Sequence, residues 1–281
     1  KTSDLEKKAL QIRLDTLMAL HKGGLGYAGS CMSVVEILVA LYYGELLGKP
    51  VMQFDPARPG WADQDYLVLS KGQAAAVQYS ILADLGFFDK SELDFIGKPA
   101  AMLTERPNGK VPGIAASILS YGHGLSVALG MALARKMDKK SGKVFAILGD
   151  GELSCGQVWE AAMSAYQYKL NNLVVFVDNN KVQANGPVAV DFIQDKFESF
   201  GWQVVQVTDG HDFDKILDGI SRGFASLRRP VCIWCHTIVA KGIEFAERKA
   251  NYHTAALSDG EMSVVVPKLQ NLYDQWFNKV S

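Results

Sequence analysis

Short apolar runs alternating with amphipathic segments predict an α/β fold, a mostly parallel central sheet with helices on both faces. Three observations carry this. The runs Val144–Leu148, Leu173–Val177 and Val231–Trp234 are apolar at every position, as strands covered on two faces are. The stretches between them place apolar residues at helical spacing. No repeat, low-complexity tract or internal linker interrupts the alternation, so residues 1–281 read as a single domain.

The elements follow in order. Residues 4–20 carry Leu5, Ala9, Ile12, Leu17 and neighbours near helical spacing, and the glycines of 21–29 stop that helix. Ser33, with Glu36 three residues on, is expected to cap a second helix that ends near Tyr43. Tyr66–Leu69 is a short buried strand, and 72–85 a helix closed by Gly86. Residues 97–124 hold three prolines and five glycines without any period, a length of loop that usually serves function. Helix is expected from Leu125 to Met137, with Gly130 allowing a close helix contact. Strand 144–148, helix 157–168, strand 173–177, a helix near 191–199, strand 203–207, helix 213–227 and strand 231–234 continue the alternation. Residues 239–257 are irregular, and a last helix covers about 259–278.

Composition narrows the function. Twenty-nine basic against 30 acidic residues give a net charge of −1, without the basic excess of a nucleic-acid binder. The longest uninterrupted apolar run, Ile37–Tyr43, is seven residues, whereas a membrane span needs about 20. The first residues, Lys-Thr-Ser-Asp-Leu-Glu, contain no apolar signal core. Four cysteines are too few for a disulfide framework and fit a reducing cytoplasm.

Ligands of such sheets sit outside the carboxyl ends of the strands. Two of those ends carry complementary chemistry. Gly149-Asp150-Gly151 follows the strand 144–148, with a hard carboxylate oxygen between two residues that permit a sharp turn. Asp178-Asn179-Asn180 follows the strand 173–177 and offers an amide oxygen. A magnesium ion takes few protein oxygens and completes its shell with phosphate oxygens and water. Twenty-seven residues, Glu152 through Asp178, separate Gly149-Asp150-Gly151 from Asn179-Asn180, enough for one helix and one strand that bring adjacent strand ends together. Either motif alone would be an ordinary turn; the pair at this spacing is specific.

With these residues the sequence resembles the thiamine-diphosphate enzymes, whose signature is GDG followed by about 25–30 residues and then NN. It is most similar to the N-terminal half of transketolases. The strings that carry the resemblance are GDGELSCGQVWEAAM (149–163), VDNNKVQANG (177–186), YLVLSKGQAAAVQYSIL (66–82), VPGIAASILSYGHGLSVALGMALA (111–134) and MSVVEILVALYYGELL (32–47), together with TDGHD (208–212) and Tyr252-His253. They span nearly the whole chain.

The resemblance implies the thiamine-diphosphate-binding fold. It implies that Asp150 and Asn180 ligate Mg2+ (or Ca2+ or Mn2+) through their side chains and Val182 through its carbonyl. Gly151 N–H and His253 would touch the diphosphate, with Gly149, Gln73, Tyr121 and Gly122 around the cofactor. Glu160 would join a polar network across the interface between subunits. The implied activity is transfer of a two-carbon ketol (glycolaldehyde) unit from a ketose donor to an acceptor. The pyrimidine-binding domain of a full transketolase has no room in 281 residues, so the resemblance implies a split enzyme whose second chain carries it, assembled as α2β2 and inactive without that partner.

The sequence departs from the family where substrate is handled. The usual GHPGGSLS stands as GYAGSCMS (26–33), placing Tyr27 at a pocket histidine. LSxGH stands as LSKGQ (69–73), placing Gln73 at another; Arg106-Pro107 stands for HP; and Cys155 replaces a glutamate. His253 is kept, and His123 sits where such subunits carry His or Gln. Candidate catalytic residues are therefore His253, Gln73, Tyr27, His123 and Arg106. Gln73 hydrogen-bonds but does not titrate, and a tyrosine is a poor proton shuttle at neutral pH. A changed donor, acceptor or proton path is expected, with Arg106 the better candidate for an anionic group. An alternative is an E1-like component that passes a two-carbon unit to a lipoyl or carrier-protein thiol. A catalytically silent regulatory or scaffold paralogue is a third reading, against which the kept metal set argues.

Weaker signals have bland readings. Gly24-Leu-Gly-Tyr-Ala-Gly29 matches G-x-G-x-x-G but follows a helix, not a strand. Cys232 and Cys235 point to opposite faces of a strand. His211 fits a satisfied turn or a partner interface equally, His21 and His236 read as structural, and Lys241 and Arg248 as solvated charge.

Overall fold

The computed structural model describes residues 2–183, 186–188 and 193–280. Five strands form one parallel sheet: β1 (Tyr66–Leu69), β2 (Val144–Gly149), β3 (Leu173–Asn179), β4 (Gln203–Val207) and β5 (Val231–His236). Their spatial order is β1-β2-β3-β5-β4, and every neighbouring pair runs parallel. The helices are α1 (Thr2–Gly23), α2 (Ala28–Met32), α3 (Val35–Tyr43), α4 (Ala75–Asp84), α5 (His123–Met137), α6 (Gly156–Gln167), α7 (Ile193–Ser199), α8 (Phe213–Phe224) and α9 (Asp259–Val280). None of the described helices is long and apolar enough to cross a membrane.

The continuous apolar runs have a simple cause. Successive strand residues point to opposite faces, and both faces are covered. Phe145, Ile147, Val174, Phe176 and Ile233 share one core with the buried residues of α1, α3, α4, α8 and α9. Ala146, Leu148, Val175, Val177 and Cys232 pack under α5 and α6, together with Phe197 and Trp202. Cys232 and Cys235 fall on opposite faces, and all four cysteines are free thiols.

Several expectations change in detail. Ser33 does not cap α3: Val34 occupies the cap without a side-chain bond, and the Ser33 hydroxyl donates to Asp178 Oδ2 at 2.7 Å. Glu36 pairs with Arg13 and lies 2.9 Å from His211 Nδ1 instead of reaching back to the helix start. A buried carboxylate needs charged partners more than a cap does. Gly130 faces open space on the exposed side of α5 rather than a close helix contact. The helix expected from Gly72 begins as a 3-10 turn over Gly72–Ala74, α5 starts two residues early at His123, and α8 ends at Phe224. Of the helix expected near 191–199, residues 191 and 192 lie outside the described residues. Strands β2, β3 and β5 run one or two residues beyond their apolar runs, because ladder bonds continue where the side chains turn polar.

Candidate active site

The register of the sheet builds the site. Gly149 of β2 lies opposite Asp178 of β3, so the chain leaves both strands at the same level and Asp150 emerges beside Asn180. The two loops are then tied together. Asp150 Oδ2 accepts the Lys181 N–H at 2.5 Å, and Oδ1 accepts the Gly151 N–H at 2.8 Å. Asn180 Oδ1 accepts the Val182 N–H at 3.0 Å, while its Nδ2 donates to Ser33 Oγ at 3.2 Å. In the amide orientation that satisfies its neighbours, Asn179 donates to Asp150 Oδ2 at 3.2 Å and accepts from Trp234 Nε1 at 3.0 Å and His236 Nδ1 at 3.2 Å. His236, which reads as merely structural along the sequence, thus stands behind Asp150.

Below this pair lies a buried ion pair. Lys71, at the end of β1, bonds to Asp178 and donates to Ser30 O and Ser33 Oγ, each at 2.9 Å. Burial opposes the charge of Asp178, but Lys71 outweighs it and holds the carboxyl below its usual range. Among the described residues Asp150 has no such partner. Burial, and then the nearby negative charge of Asp178, push it up to about 7. It is the site acid poised to take a cation.

Glu152 pins the surrounding loops. Its carboxylate accepts from Gly149 N–H at 2.9 Å, Gly122 N–H at 2.9 Å and Ser70 Oγ at 2.5 Å. One buried side chain thereby joins the ends of β1 and β2 to the start of α5.

The opposite wall is a backbone-to-backbone packing. A Cβ on Gly26 would lie 2.1 Å from Thr254 O, and one on Gly29 2.4 Å from Tyr252 O. The two glycines let the turn before α2 press against Tyr252–Thr254. Tyr27 between them adopts φ 69° and donates its N–H to Thr254 O at 3.2 Å. Ser30 Oγ donates to His253 O at 2.9 Å. His253 is buried, and its Nδ1 has no hydrogen-bond partner among the described residues. Burial, followed by the charge of Lys71, pushes it down to about 4. It is neutral at pH 7.

These walls line a cleft of about 220 Å³ that brings together Gln73, Tyr121, Gly149, Asp150, Gly151, Asn180, Val182 and His253 from the sequence reading. Tyr27 and Arg106 adjoin it: the Arg106 guanidinium lies 5.4 Å from the Tyr27 ring and 5.3 Å from the Tyr121 ring. Gly122, His123 and Glu160 do not line it. Gly122 serves through its N–H to Glu152, and His123 and Glu160 are exposed on α5 and α6. His211 is a satisfied histidine, with Nε2 accepting the Ile238 N–H at 2.9 Å and Nδ1 facing Glu36. Lys241 lies 3.8 Å from Glu247, and Arg248 borders a neighbouring cleft with Lys181 and His236. Sequence reasoning missed Lys71, Asp178 and Glu152. Each sits beside a quoted motif residue, and a lysine inside the apolar LSKGQ segment is the one signal that could have found the first. Cys155 forms part of the cleft wall.

The residues fit a diphosphate held through one divalent ion. Among the described residues no three His, Cys, Asp or Glu side chains converge as a metal cage. Asp178 is already neutralised by Lys71, so Asp150 supplies one negative charge and Asn180 an amide oxygen. A hard cation there needs further oxygens from the ligand itself, and the unpartnered His253 needs a polar atom from the same source.

Residues 5–277 match the family described as "Transketolase, thiamine diphosphate binding domain". The 6-deoxy-6-sulfo-D-fructose transketolase subunit SqwG of Clostridium sp. (strain MSTE9) is 37% identical over 272 residues, covering 95% of this chain and 96% of that subunit. One subunit of the apulose-4-phosphate transketolase of Phocaeicola vulgatus is 33% identical over 257 residues, covering 89% of this chain and 88% of that one. Transketolase of Homo sapiens is 32% identical over 280 residues, which are 98% of this chain and 43% of the human protein. The crystal structure of transketolase from Campylobacter jejuni superposes with a TM-score of 0.87 at 24% identity over 97% of this chain and 45% of that one, which shows the shared fold. The chain belongs to the transketolase family, as its thiamine diphosphate binding domain.

Proposed function

We propose that this chain is one subunit of a split thiamine-diphosphate-dependent transferase that moves a two-carbon ketol unit from a ketose donor to an acceptor. The observation that carries the reading is the juxtaposition of Asp150 and Asn180 across from the unpartnered His253 Nδ1. Two relatives named as transketolase subunits are matched over most of their length, and a one-chain transketolase over less than half. That difference supports a pyrimidine-binding domain on a second chain; the assembly proposed with it is α2β2, with Glu160 near the interface. Four free thiols support a reducing, cytoplasmic setting.

Thiamine diphosphate, when bound, supplies the carbon nucleophile that carries the two-carbon unit. The chain's own residues do the holding. Asp150, Asn180 and the Val182 carbonyl would hold Mg2+, with Ca2+ or Mn2+ able to replace it. Neutral His253 can donate an N–H to a diphosphate oxygen, and Gly151 would approach it by backbone. Gln73 hydrogen-bonds without titrating. A silent scaffold has no use for a buried carboxylate raised to about 7, which costs stability unless a cation offsets it.

Calorimetric titration of the chain with thiamine diphosphate tests this. Binding is expected with Mg2+ and not after EDTA, and Asp150→Ala and Asn180→Ala should each abolish it. Binding that survives EDTA or Asp150→Ala overturns the reading. With the partner chain added, xylulose 5-phosphate and ribose 5-phosphate assay the sugar pair; turnover at an ordinary enzyme rate would refute the expectation of a changed donor or acceptor. A carrier-bound product would identify the E1-like alternative.

A further inference from the structure

The three positions where the sequence departs from the family's pocket histidines, Tyr27, Gln73 and Arg106, are one physical unit. Arg106 Nη1 lies 3.4 Å from Gln73 Oε1, and Nη2 lies 3.4 Å from Tyr121 Oη. The guanidinium is flanked by the Tyr27 and Tyr121 rings at 5.4 and 5.3 Å. Its backbone is also fixed: Arg106 O accepts from Tyr79 Oη at 2.9 Å and from Thr104 Oγ1 at 2.7 Å. Gly72 leaves room for its stem, since a Cβ there would lie 3.3 Å from Arg106 Cδ. The side chain is therefore held along its length, beside the cleft that contains Asp150 and His253.

Its charge is held but not neutralised. Among the described residues no carboxylate lies within salt-bridge distance of Arg106, and the acid that acts on it is its exposed chain neighbour Glu105. A guanidinium has five N–H donors, and the two side-chain acceptors here are both at the long end of hydrogen bonding. Aromatic faces and an amide orient a guanidinium without consuming its fork, which leaves it available to a planar or tetrahedral oxyanion.

We propose that Arg106, oriented by Tyr27, Gln73 and Tyr121, is the recognition site for an anionic group of the substrate, a carboxylate, phosphoryl or sulfonyl oxyanion presented at the rim of the cofactor cleft. The assignment rests on the cofactor reading above. It makes a neutral sugar a poor substrate, and it gives the loss of two titratable pocket side chains a single purpose: Tyr27 and Gln73 position a permanent cation instead of moving protons.

The test uses the full chain loaded with thiamine diphosphate and Mg2+, so that the diphosphate subsite is filled. Inorganic phosphate, methanesulfonate and glycolate are titrated at constant ionic strength, with ethylene glycol as neutral control, following the Arg106 side-chain Nε–H resonance identified by its absence in Arg106→Met. At least one anion should shift it saturably and the glycol should not; which anion binds best separates the three sources of charge. In Arg106→Met, calorimetry should show anion affinity reduced by about tenfold or more, and Arg106→Lys should recover part of it, with thiamine diphosphate affinity unchanged in both. A cofactor-loaded chain that binds none of the anions, or an Arg106→Met chain that binds them like the wild type, overturns this proposal alone. Failure of the wild type to take up thiamine diphosphate with Mg2+ overturns the function reading, and this one with it.

Discussion

Lys71 and Asp178 form an ion pair in the floor of the cleft, with side chains 1% and 0% exposed. The pair removes Asp178 from the set of free acids; Glu152 spends its oxygens on three neutral donors, and Asp150, beside Asn180, is left without an ion-pair partner among the described residues.

Breaking this pair should be costly. Lys71→Met leaves a buried carboxylate whose strongest partner is gone, and the expected loss is roughly 3–5 kcal/mol in urea denaturation. Lys71→Met combined with Asp178→Asn should be milder than Lys71→Met alone. A single variant as stable as the wild type would contradict the ion pair.

Asp150→Asn should change how stability depends on pH in the metal-free chain. The Asp150 pKa rises from 3.8 unfolded to about 7 folded, so the folded state binds the extra proton between those values. Its contribution is favourable at low pH and is lost as pH rises through about 7. The melting temperature of Asp150→Asn minus that of the wild type should therefore grow from near zero at pH 4 to several degrees at pH 8. With Mg2+ and thiamine diphosphate together the wild type should recover that difference. A gap that shrinks with rising pH would oppose this assignment.

Glu152→Gln should loosen the strand ends together. Three donors face the carboxylate, and an amide offers one oxygen and a competing NH2. A loss of about 1–3 kcal/mol is expected, with faster hydrogen exchange at Gly122 and Gly149. Unchanged exchange at both would remove Glu152 from its pinning role.

Gly29→Ala tests the far wall. Its Cβ would meet Tyr252 O at 2.4 Å, so backbone must move, and the nearest segment carries His253. Weaker thiamine diphosphate binding is expected alongside a lower melting temperature. Wild-type affinity in a folded variant would show that the close approach does not place His253.

Much of this was legible in the residues. Runs such as Val144–Leu148 and Leu173–Val177 determined the strands, since only a sheet covered on both faces makes every strand position apolar. The spacing of Asp150 and Asn180 determined that two polar strand ends meet, because one helix and one strand return the chain to the neighbouring position. The rest depended on pairings between distant segments. Ser33 reads as a helix cap until its hydroxyl is seen bonded to Asp178, 145 residues away. Lys71 passes unnoticed inside LSKGQ until the fold buries it against Asp178, and the meeting of Tyr27 and Gln73 at Arg106 is invisible along the chain. Local pattern reports which face of an element is apolar. Which polar side chains meet inside is decided by packing, as each buried charge must find a partner wherever the fold supplies one.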